Sequence, residues 1–218
     1  MNRALVATAF AMLVGNLSAS TIYSNFGSGD TFQAGIGAVV VSGGIDQRPS
    51  FSFTSSADQP LTEIDFVTSV DPSNTSNNSV TVTLSADNGG VPGTVIASQT
   101  FTNAMGIRGS LETPPTILSW LPSVAPSLLA QATYWITFDA PGDPAQGDVF
   151  WNYNSVQAFG YSTFTSGTWS STSNTLGAIR VLSGEASVNA APEPGTILLL
   201  GCGLVAIGGI GRARRSRR

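Results

Sequence analysis

The sequence contains no histidine and no lysine, and its single cysteine is Cys202. These absences exclude histidine general bases, Ser-His-Asp and Cys-His nucleophiles, and Schiff-base lysines. One cysteine also excludes an intrachain disulfide and a cysteine zinc site. Charged residues make up 10% of the chain, far below the usual fraction of about one quarter. An enzyme would have to work with carboxylates alone, and we expect this protein not to be an enzyme.

The N-terminal segment has the organisation of an export signal. Residues 1–20 combine a positive charge at Arg3, an apolar run over 4–14 and small residues at 18–20. These are the three parts of a secretory signal peptide and its cleavage site. A buried first helix is the alternative. We predict that residues 1–20 are removed during export.

The C-terminal segment is typical of a membrane anchor. Residues 195–211 carry no charge, and as a helix they would span about 25 Å at about 1.5 Å per residue. This is slightly short for a hydrocarbon core of about 30 Å but tolerated. Residues 212–218 follow as a basic tail, which the positive-inside rule keeps in the cytoplasm. Its arginines are Arg212, Arg214, Arg215, Arg217 and Arg218. We predict a transmembrane helix over 195–211, with a buried strand as the alternative.

A short motif precedes this predicted helix, within a linker over residues 186–194. The order Pro192-Glu193-Pro194, glycine-rich apolar span and terminal arginine cluster resembles the PEP-CTERM sorting signal. The resemblance implies a Gram-negative bacterium that makes extracellular polysaccharide. It also implies an exosortase, a membrane protease that recognises the three motif residues and removes the tail. Physically, two prolines hold the motif extended and without two backbone donors, so it stays open to an enzyme.

The body between these ends is acidic. Residues 21–191 contain three arginines and twelve carboxylates, a net charge of −9 that the arginine-rich tail masks in the whole-chain value of −4. Because three scattered arginines provide no basic patch, we expect no nucleic-acid binding.

Alternating apolar residues predict about ten short strands in the body. Five period-2 rows lie at 64–70, 80–84, 134–138, 149–153 and 159–163. Further candidate strands are 36–41, 51–54, 94–101, 117–121 and 178–183. Turn residues such as Asp87-Asn88-Gly89-Gly90 separate them. We therefore predict an all-β fold over residues 21–185, a two-sheet antiparallel β-sandwich that is jelly-roll-like.

Part of the body also resembles a known domain type. The segments LTEIDFVTSV, SVTVTLSADNGGVPGTVIASQTF, LLAQATYWITFDAP and VFWNYN, all within 61–153, are similar to the choice-of-anchor R type of domain, found ahead of such sorting signals. This resemblance implies a β-sandwich carried by a surface anchor, and it implies no catalytic mechanism.

Two groups of body residues are candidates for ligand binding. Asp139, Asp143 and Asp148 lie in one Pro/Gly-rich loop, and loop carboxylates are what Ca²⁺ selects; turn formation is the alternative. Trp169, Trp151 and Tyr153 are candidates for stacking on sugar rings, with core packing as the alternative. Trp169 is the one that we expect in an exposed loop.

The carboxylates provide no convincing catalytic pair. Glu63 and Asp65 are two positions apart and share a strand face, where they form a possible glycosidase pair. We expect instead that this face is exposed to solvent. The sequence thus predicts an exported, non-enzymatic protein with a structural role in an exopolysaccharide or biofilm matrix. A carbohydrate-binding module is the alternative.

Overall fold

The computed structural model describes residues 19–42, 45–73, 78–140 and 148–184. Across these residues the chain forms strands and no helix, so the predicted all-β class is confirmed. The strands are β1 (Ser20–Ser24), β2 (Phe32–Ser42), β3 (Ile45–Thr54), β4 (Gln59–Phe66), β5 (Thr68–Val70), β6 (Ser79–Asp87), β7 (Pro92–Thr102), β8 (Gly106–Ile107), β9 (Leu118–Trp120), β10 (Ser127–Leu128), β11 (Thr133–Asp139), β12 (Val149–Asn154), β13 (Phe159–Thr165), β14 (Thr168–Thr175) and β15 (Ile179–Ser183).

The strands form two sheets. The smaller sheet has the order β1-β15-β4-β10, and β9 also pairs with β4. The larger sheet has the order β7-β6-β11-β3-β2-β12-β5-β8, and β13 joins it on β3 with β14 beyond. The pairings are antiparallel except for β5 with β8. Antiparallel sheets tolerate one solvated face, which matches the alternating patterns of the sequence.

Alternation on β6 and β11 explains the core of the larger sheet. Val80, Val82 and Leu84 on β6 are fully buried, as are Ile136 and Phe138 on β11. Because successive strand residues point to opposite faces, Thr81 and Thr83 of β6 and Trp135 and Thr137 of β11 lie on the other side. The period-2 pattern therefore places an apolar row on the inner face of each strand, with mostly hydroxyl side chains opposite it.

The predicted strand over 64–70 is two strands that belong to different sheets. β4 ends at Phe66 and pairs with β15, whereas β5 begins at Thr68 and pairs with β12. Val67 lies between them, fully buried, and its carbonyl accepts the N–H of Asn152. The alternation along 64–70 hides this change of sheet because every residue there is buried, including the polar Asp65, Thr68 and Ser69.

Both sheets contribute to one hydrophobic core. Phe66 of the smaller sheet meets Phe138 of the larger one edge-to-face, with the ring centroids 5.4 Å apart. Trp151 of β12 stacks on the other side of the cluster, 4.4 Å from Phe138. Aromatic pairs at these separations add about 0.5–1.5 kcal/mol each beyond the burial of their area. The core thus joins the sheets at the position where the aromatic rows of β4, β11 and β12 converge.

The hairpin between β13 and β14 has the turn chemistry that the sequence indicates. Ser166 and Gly167 have φ values of 52° and 89°, and Thr165 pairs with Thr168 across the turn. Two positive φ values in a two-residue loop define a type I′ turn, whose twist matches that of the flanking strands. The turn places Trp169 directly opposite Phe164.

Candidate functional site

Trp151 is not available for sugar stacking. Its side chain is fully buried, and its indole N–H donates to the carbonyl of Ala178 at 3.0 Å. A stacking platform needs an exposed ring face, so the prediction of Trp151 as a carbohydrate-binding residue is wrong. The residue packs in the core because β12 lies between β2 and β5 with its inner face against the smaller sheet.

Tyr153 lies at the margin of this core. It is partly buried, packs against the core cluster and pairs with Gly177 through a β-bridge. Burial raises the pKa of the Tyr153 phenol above its ordinary value, as it does for Tyr161. The structure therefore does not bring Tyr153 together with Trp169 on one surface.

Trp169 lies on a strand and not in the loop that the sequence indicated. It is partly exposed on β14, with its ring centroid 5.2 Å from that of Phe164. The guanidinium of Arg48 lies 5.4 Å from the Phe164 centroid, within the range of a cation–π contact. Trp169 is thus the end of a row of three planar side chains across β14, β13 and β3.

This row belongs to a sheet face that is dominated by hydroxyl groups. The next row of paired residues crosses six strands, and every member of it is a serine or a threonine. Its members are Ser171, Ser162, Ser50, Thr137, Thr83 and Ser98. The hydroxyls of Ser50 and Thr137 are hydrogen-bonded at 2.6 Å, and those of Thr81 and Thr100 in the adjacent row at 2.8 Å. We call this outer surface of β14, β13, β3, β11, β6 and β7 the hydroxyl face.

A hollow of about 240 Å³ lies on the hydroxyl face. Hydroxyl groups and one indole line it, and Gly160 leaves it open because it has no side chain. Its lining includes Ser50, Ser52, Ser162, Ser171 and Trp135. The Trp135 indole N–H donates to Asp87 at 2.7 Å. This hydrogen bond, followed by that from the Gly90 backbone, holds the pKa of the Asp87 carboxyl below its usual range. The hollow therefore has a rigid aromatic edge and neutral polar walls.

Sequence reasoning missed this hollow, although a signal for it was present. Ser50, Ser52 and Thr54 alternate with Phe51 and Phe53 on one strand, which predicts a hydroxyl row opposite an apolar row. The pattern does not say which strands lie beside it. Only the sheet order brings β13 and β11 to either side of β3.

The predicted calcium ligands are only partly within the described residues. Asp139 ends β11, with a carboxylate oxygen 3.6 Å from Nε of Arg48. Asp148 precedes β12, and its backbone carbonyl accepts the N–H of Asp71 at 2.9 Å. Asp143 lies outside the described residues. The part of the chain that the structure describes contains no group of three acidic or other ligating side chains arranged to hold a metal ion.

The expectation that Glu63 and Asp65 face solvent is wrong for Asp65. Asp65 is 2% exposed, because β15 and β9 flank β4 on its two edges. Nε and Nη2 of Arg180 lie 2.8 and 2.6 Å from its Oδ2, and Ser119 donates its hydroxyl to Oδ1. Both oxygens are therefore engaged, which is the arrangement of a structural carboxylate. Glu63 is half-buried opposite Leu182.

Arg180 is the centre of this buried cluster. Its Nη1 reaches Asp30 at 2.8 Å, and its guanidinium lies 5.6 Å from the Phe26 ring centroid. Burial lowers the pKa of Arg180, but the contacts with Asp65 and Asp30 outweigh it and raise the pKa overall. The other two body arginines are held similarly, Arg108 by Asp71 at 2.6 Å and Arg48 by Asp139. The positive charges of the body are thus paired with carboxylates.

The two ends of the described chain leave the domain side by side. β1 and β15 are antiparallel neighbours, and Ser20 pairs with Ser183. The Ser183 hydroxyl also donates to the carbonyl of Ser20 at 3.3 Å. In an antiparallel pair this register puts the start of one strand beside the end of the other. The first and last strands of the described chain therefore have their outer ends next to each other.

The sorting motif at Pro192, Glu193 and Pro194, the predicted span 195–211 and the basic tail lie outside the described residues, as does most of the predicted signal peptide. Within the described ranges, no helix is long and apolar enough to cross a membrane. No protein-family model matches the chain, and the search of curated proteins returned no match.

Proposed function

We propose that the protein is an exported, non-enzymatic component of a cell surface or extracellular polysaccharide matrix. Residues 1–20 direct export, and the segment over 192–218 is a sorting signal that an exosortase-type membrane protease cleaves. The helix over 195–211 holds the protein in the inner membrane, with the body on the periplasmic side, until that cleavage. The body is a two-layer β-sandwich of jelly-roll-like form whose role is structural.

The carrying observation is the pairing of Ser20 with Ser183. A precursor with a signal peptide at one end and an apolar span at the other has both segments in the membrane at once. Because Ser20 and Ser183 are neighbours, the two segments that we propose to enter the membrane begin side by side on the body, which supports the proposal.

The test is the intact mass of the protein from the envelope and from the medium of its native host. We expect a mature form that begins near Ser20 and ends near Pro192–Pro194. The variant P192A/E193A/P194A is expected to retain residues 195–218 and stay in the membrane fraction. The matched control S187A/N189A changes the same linker outside the motif and is expected to be processed normally. A wild-type mass that still includes the apolar span and the arginine tail would refute the sorting proposal.

A second candidate function is binding of a neutral polysaccharide on the hydroxyl face. The observation that favours it is the partly exposed Trp169, next to Phe164 and Arg48, at the margin of the hydroxyl rows. Hydroxyl rows offer donors and acceptors without charge, and an exposed indole provides a ring face for a sugar.

Affinity electrophoresis of the full chain in gels containing the host's own polysaccharide tests this candidate. We expect Trp169→Ala to abolish retardation of the protein. Phe159→Ala is the control, because Phe159 is 62% exposed on the neighbouring strand and pairs with Thr175, away from the row of Arg48, Phe164 and Trp169. Addition of a chelator separates a calcium-dependent contact from one made by the sheet alone. Equal migration of wild type and both variants would count against the candidate.

A further inference from the structure

The tip of the β6–β7 hairpin contains Asn88, the single asparagine of the sequence that is followed by glycine. Gly89 and Gly90 have φ values of 67° and 89°, and the N–H of Asn88 donates to the carbonyl of Val91 at 2.9 Å. These are the features of a two-residue type I′ turn. Asn88 is therefore the last residue before the turn, and the peptide group that follows it ends in a glycine nitrogen.

The side chain of Asn88 is exposed and unrestrained. Asn88, Gly89 and Gly90 are all exposed, and among the described residues none forms a hydrogen bond with the Asn88 carboxamide. A Cβ on Gly93 would lie 2.8 Å from the Cβ of Asn88, so the missing side chain at Gly93 leaves Asn88 room to turn. Buried asparagines differ, because their carboxamides donate to backbone carbonyls; examples are Asn25, Asn152 and Asn154.

Few interactions hold the tip of the hairpin in place. The Asp87 carboxylate accepts the N–H of Gly90 at 3.2 Å, at the upper end of the hydrogen-bond range. Below the tip the register between β6 and β7 shifts between Ser85 and Asp87. Segments with exposed backbone hydrogen bonds and few buried contacts open locally at low free energy. The rotations that bring the Gly89 nitrogen to the Asn88 side chain are therefore accessible to the folded protein.

We propose that Asn88-Gly89 is a self-modification site, at which the folded protein deamidates through a cyclic imide. The Gly89 nitrogen loses its proton and attacks Cγ of Asn88. The N–Cγ bond forms, the Cγ–Nδ2 bond breaks, and Nδ2 leaves as ammonia with that proton. Water then opens the imide, at Cγ to give aspartate or at the backbone carbonyl to give isoaspartate. Glycine permits this attack because it has no Cβ to crowd its nitrogen or to restrict its rotation.

Asn103 provides an internal control in every sample. It is also exposed, and its backbone N–H donates to the carbonyl of Asn78 at 2.7 Å. None of the described residues forms a hydrogen bond with its carboxamide. The residue that follows it is Ala104, whose Cβ crowds the attacking nitrogen and limits its backbone rotation. A difference in rate between Asn88 and Asn103 therefore measures what the glycine-rich tip contributes.

The product changes the charge and the geometry of the tip. Hydrogen bonds from the Trp135 indole and the Gly90 N–H hold the pKa of the Asp87 carboxyl below its usual range, so a carboxylate formed at position 88 lies beside an ionised neighbour. Isoaspartate also adds a methylene to the main chain inside a tight turn, where the hydrogen bond from Asn88 to Val91 closes the hairpin. The modification thus adds negative charge and weakens the hairpin as a protein molecule ages.

Incubation of the full chain in detergent, followed by peptide mass mapping, tests the proposal. Chymotryptic cleavage after Phe101 puts Asn88 and Asn103 on different peptides, and deamidation gives the mass gain of an NH₂ group replaced by OH. We expect Asn88 to react at least about tenfold faster than Asn103. The rate should rise from neutral to alkaline pH because the attacking nitrogen must lose its proton. Isoaspartate, detected by enzymatic methylation, identifies the imide route.

Two variants locate the reaction. Asn88→Gln keeps the carboxamide but enlarges the ring that attack would form, and it is expected to abolish the mass gain on this peptide. Gly89→Ala adds a Cβ that meets no atom within 4 Å, and it is expected to slow the reaction at least about tenfold. Because φ at position 89 is positive, the urea midpoint of Gly89→Ala is measured to show that the variant is folded.

Three results would overturn the proposal. They are equal rates at Asn88 and Asn103, a mass gain that appears only when the chain is unfolded in urea, and an unchanged rate in folded Gly89→Ala. Aspartate without isoaspartate would contradict the imide route and so the proposal as well. The reaction requires only water and the folded body. It is therefore independent of export, sorting and any matrix role, and neither proposal depends on the other.

Discussion

Removal of the Arg180 side-chain charge is expected to be the most destabilising polar substitution in the described body. Asp65 lies with its side chain 3% exposed, and Arg180 holds its Oδ2 through two nitrogens. The substitution Arg180→Met keeps the length of the aliphatic stem and leaves the carboxylate with the Ser119 hydroxyl alone. Since the carboxylate cannot regain its water shell there, the folded state carries an uncompensated charge.

The magnitude follows from the burial of the two partners. Breaking a buried ion pair by removing one member costs about 3–5 kcal/mol, and we expect the lower half of that range because the Arg180 side chain is 25% exposed. The contact with Asp30 contributes little, since Asp30 is 49% exposed and exposed pairs are worth about 0–1 kcal/mol. Asp30→Asn therefore serves as the control for the outer half of the cluster.

Urea unfolding of each variant, followed by tryptophan fluorescence, measures these free energies. The double variant Arg180→Met/Asp65→Leu removes both charges and is expected to recover most of the loss, because apolar replacement of a buried pair is often neutral or stabilising. The coupling energy from the resulting double-mutant cycle isolates the pair. A loss below about 1 kcal/mol for Arg180→Met, with no recovery in the double variant, would refute the view that Asp65 is a buried charge.

Three further substitutions test the core, an orphan hydroxyl and the pH dependence. Gly177→Ala puts a methyl group against the ring of Trp151 and should lower the free energy of unfolding by about 1–3 kcal/mol or more. Gly35→Ala is the control and should cause no such loss, because no atom lies near its added methyl group. Both effects are measured from urea midpoints. The Thr68 hydroxyl is buried without a hydrogen-bond partner among the described residues, so Thr68→Val should be neutral or stabilise by up to about 1 kcal/mol; a clear loss in the same assay would mean that the hydroxyl has a partner. The pKa of the Asp87 carboxyl is lowered in the folded state, so its ionised form stabilises the fold at pH values above the unfolded-state pKa of about 3.9. This stability is lost as the pH falls through the folded-state pKa. Trp135→Phe removes the principal cause of that shift, so the urea midpoint should fall less steeply as the pH is lowered. An unchanged pH dependence of the midpoint would argue against the Trp135–Asp87 hydrogen bond.

Local patterns predicted the strands well wherever one face of a strand is buried and the other is solvated. The row Val80, Val82 and Leu84 is the clearest instance, because Thr and Ser alternate with it and the structure buries only the apolar members. The pattern failed at Val67, where residues on both sides are buried and periodicity carries no information about a change of sheet. It also missed β1 and β14, in which serine and threonine dominate and no apolar row stands out.

The candidate sites were harder to predict than the strands because they depend on which strands are neighbours. Trp151 and Trp169 are each followed by a polar residue, yet one is in the centre of the core and the other on the hydroxyl face. Asp65 likewise looks solvent-facing in its own strand, and it is buried only because Arg180 and Ser119 arrive from β15 and β9. Such facts belong to long-range pairing, which spacing within one strand does not encode.

The scarcity of charge limits what the body can use for recognition. Its three arginines are each engaged by carboxylates and lie over phenylalanine rings, so charge there stabilises the fold and is not displayed to partners. Apart from exposed carboxylates such as Asp58 and Glu112, the described surface displays uncharged groups, among them the hydroxyl rows. Recognition by such surfaces comes from backbone hydrogen bonds, apolar contacts and hydroxyl groups, and it is less sensitive to salt than recognition by charge.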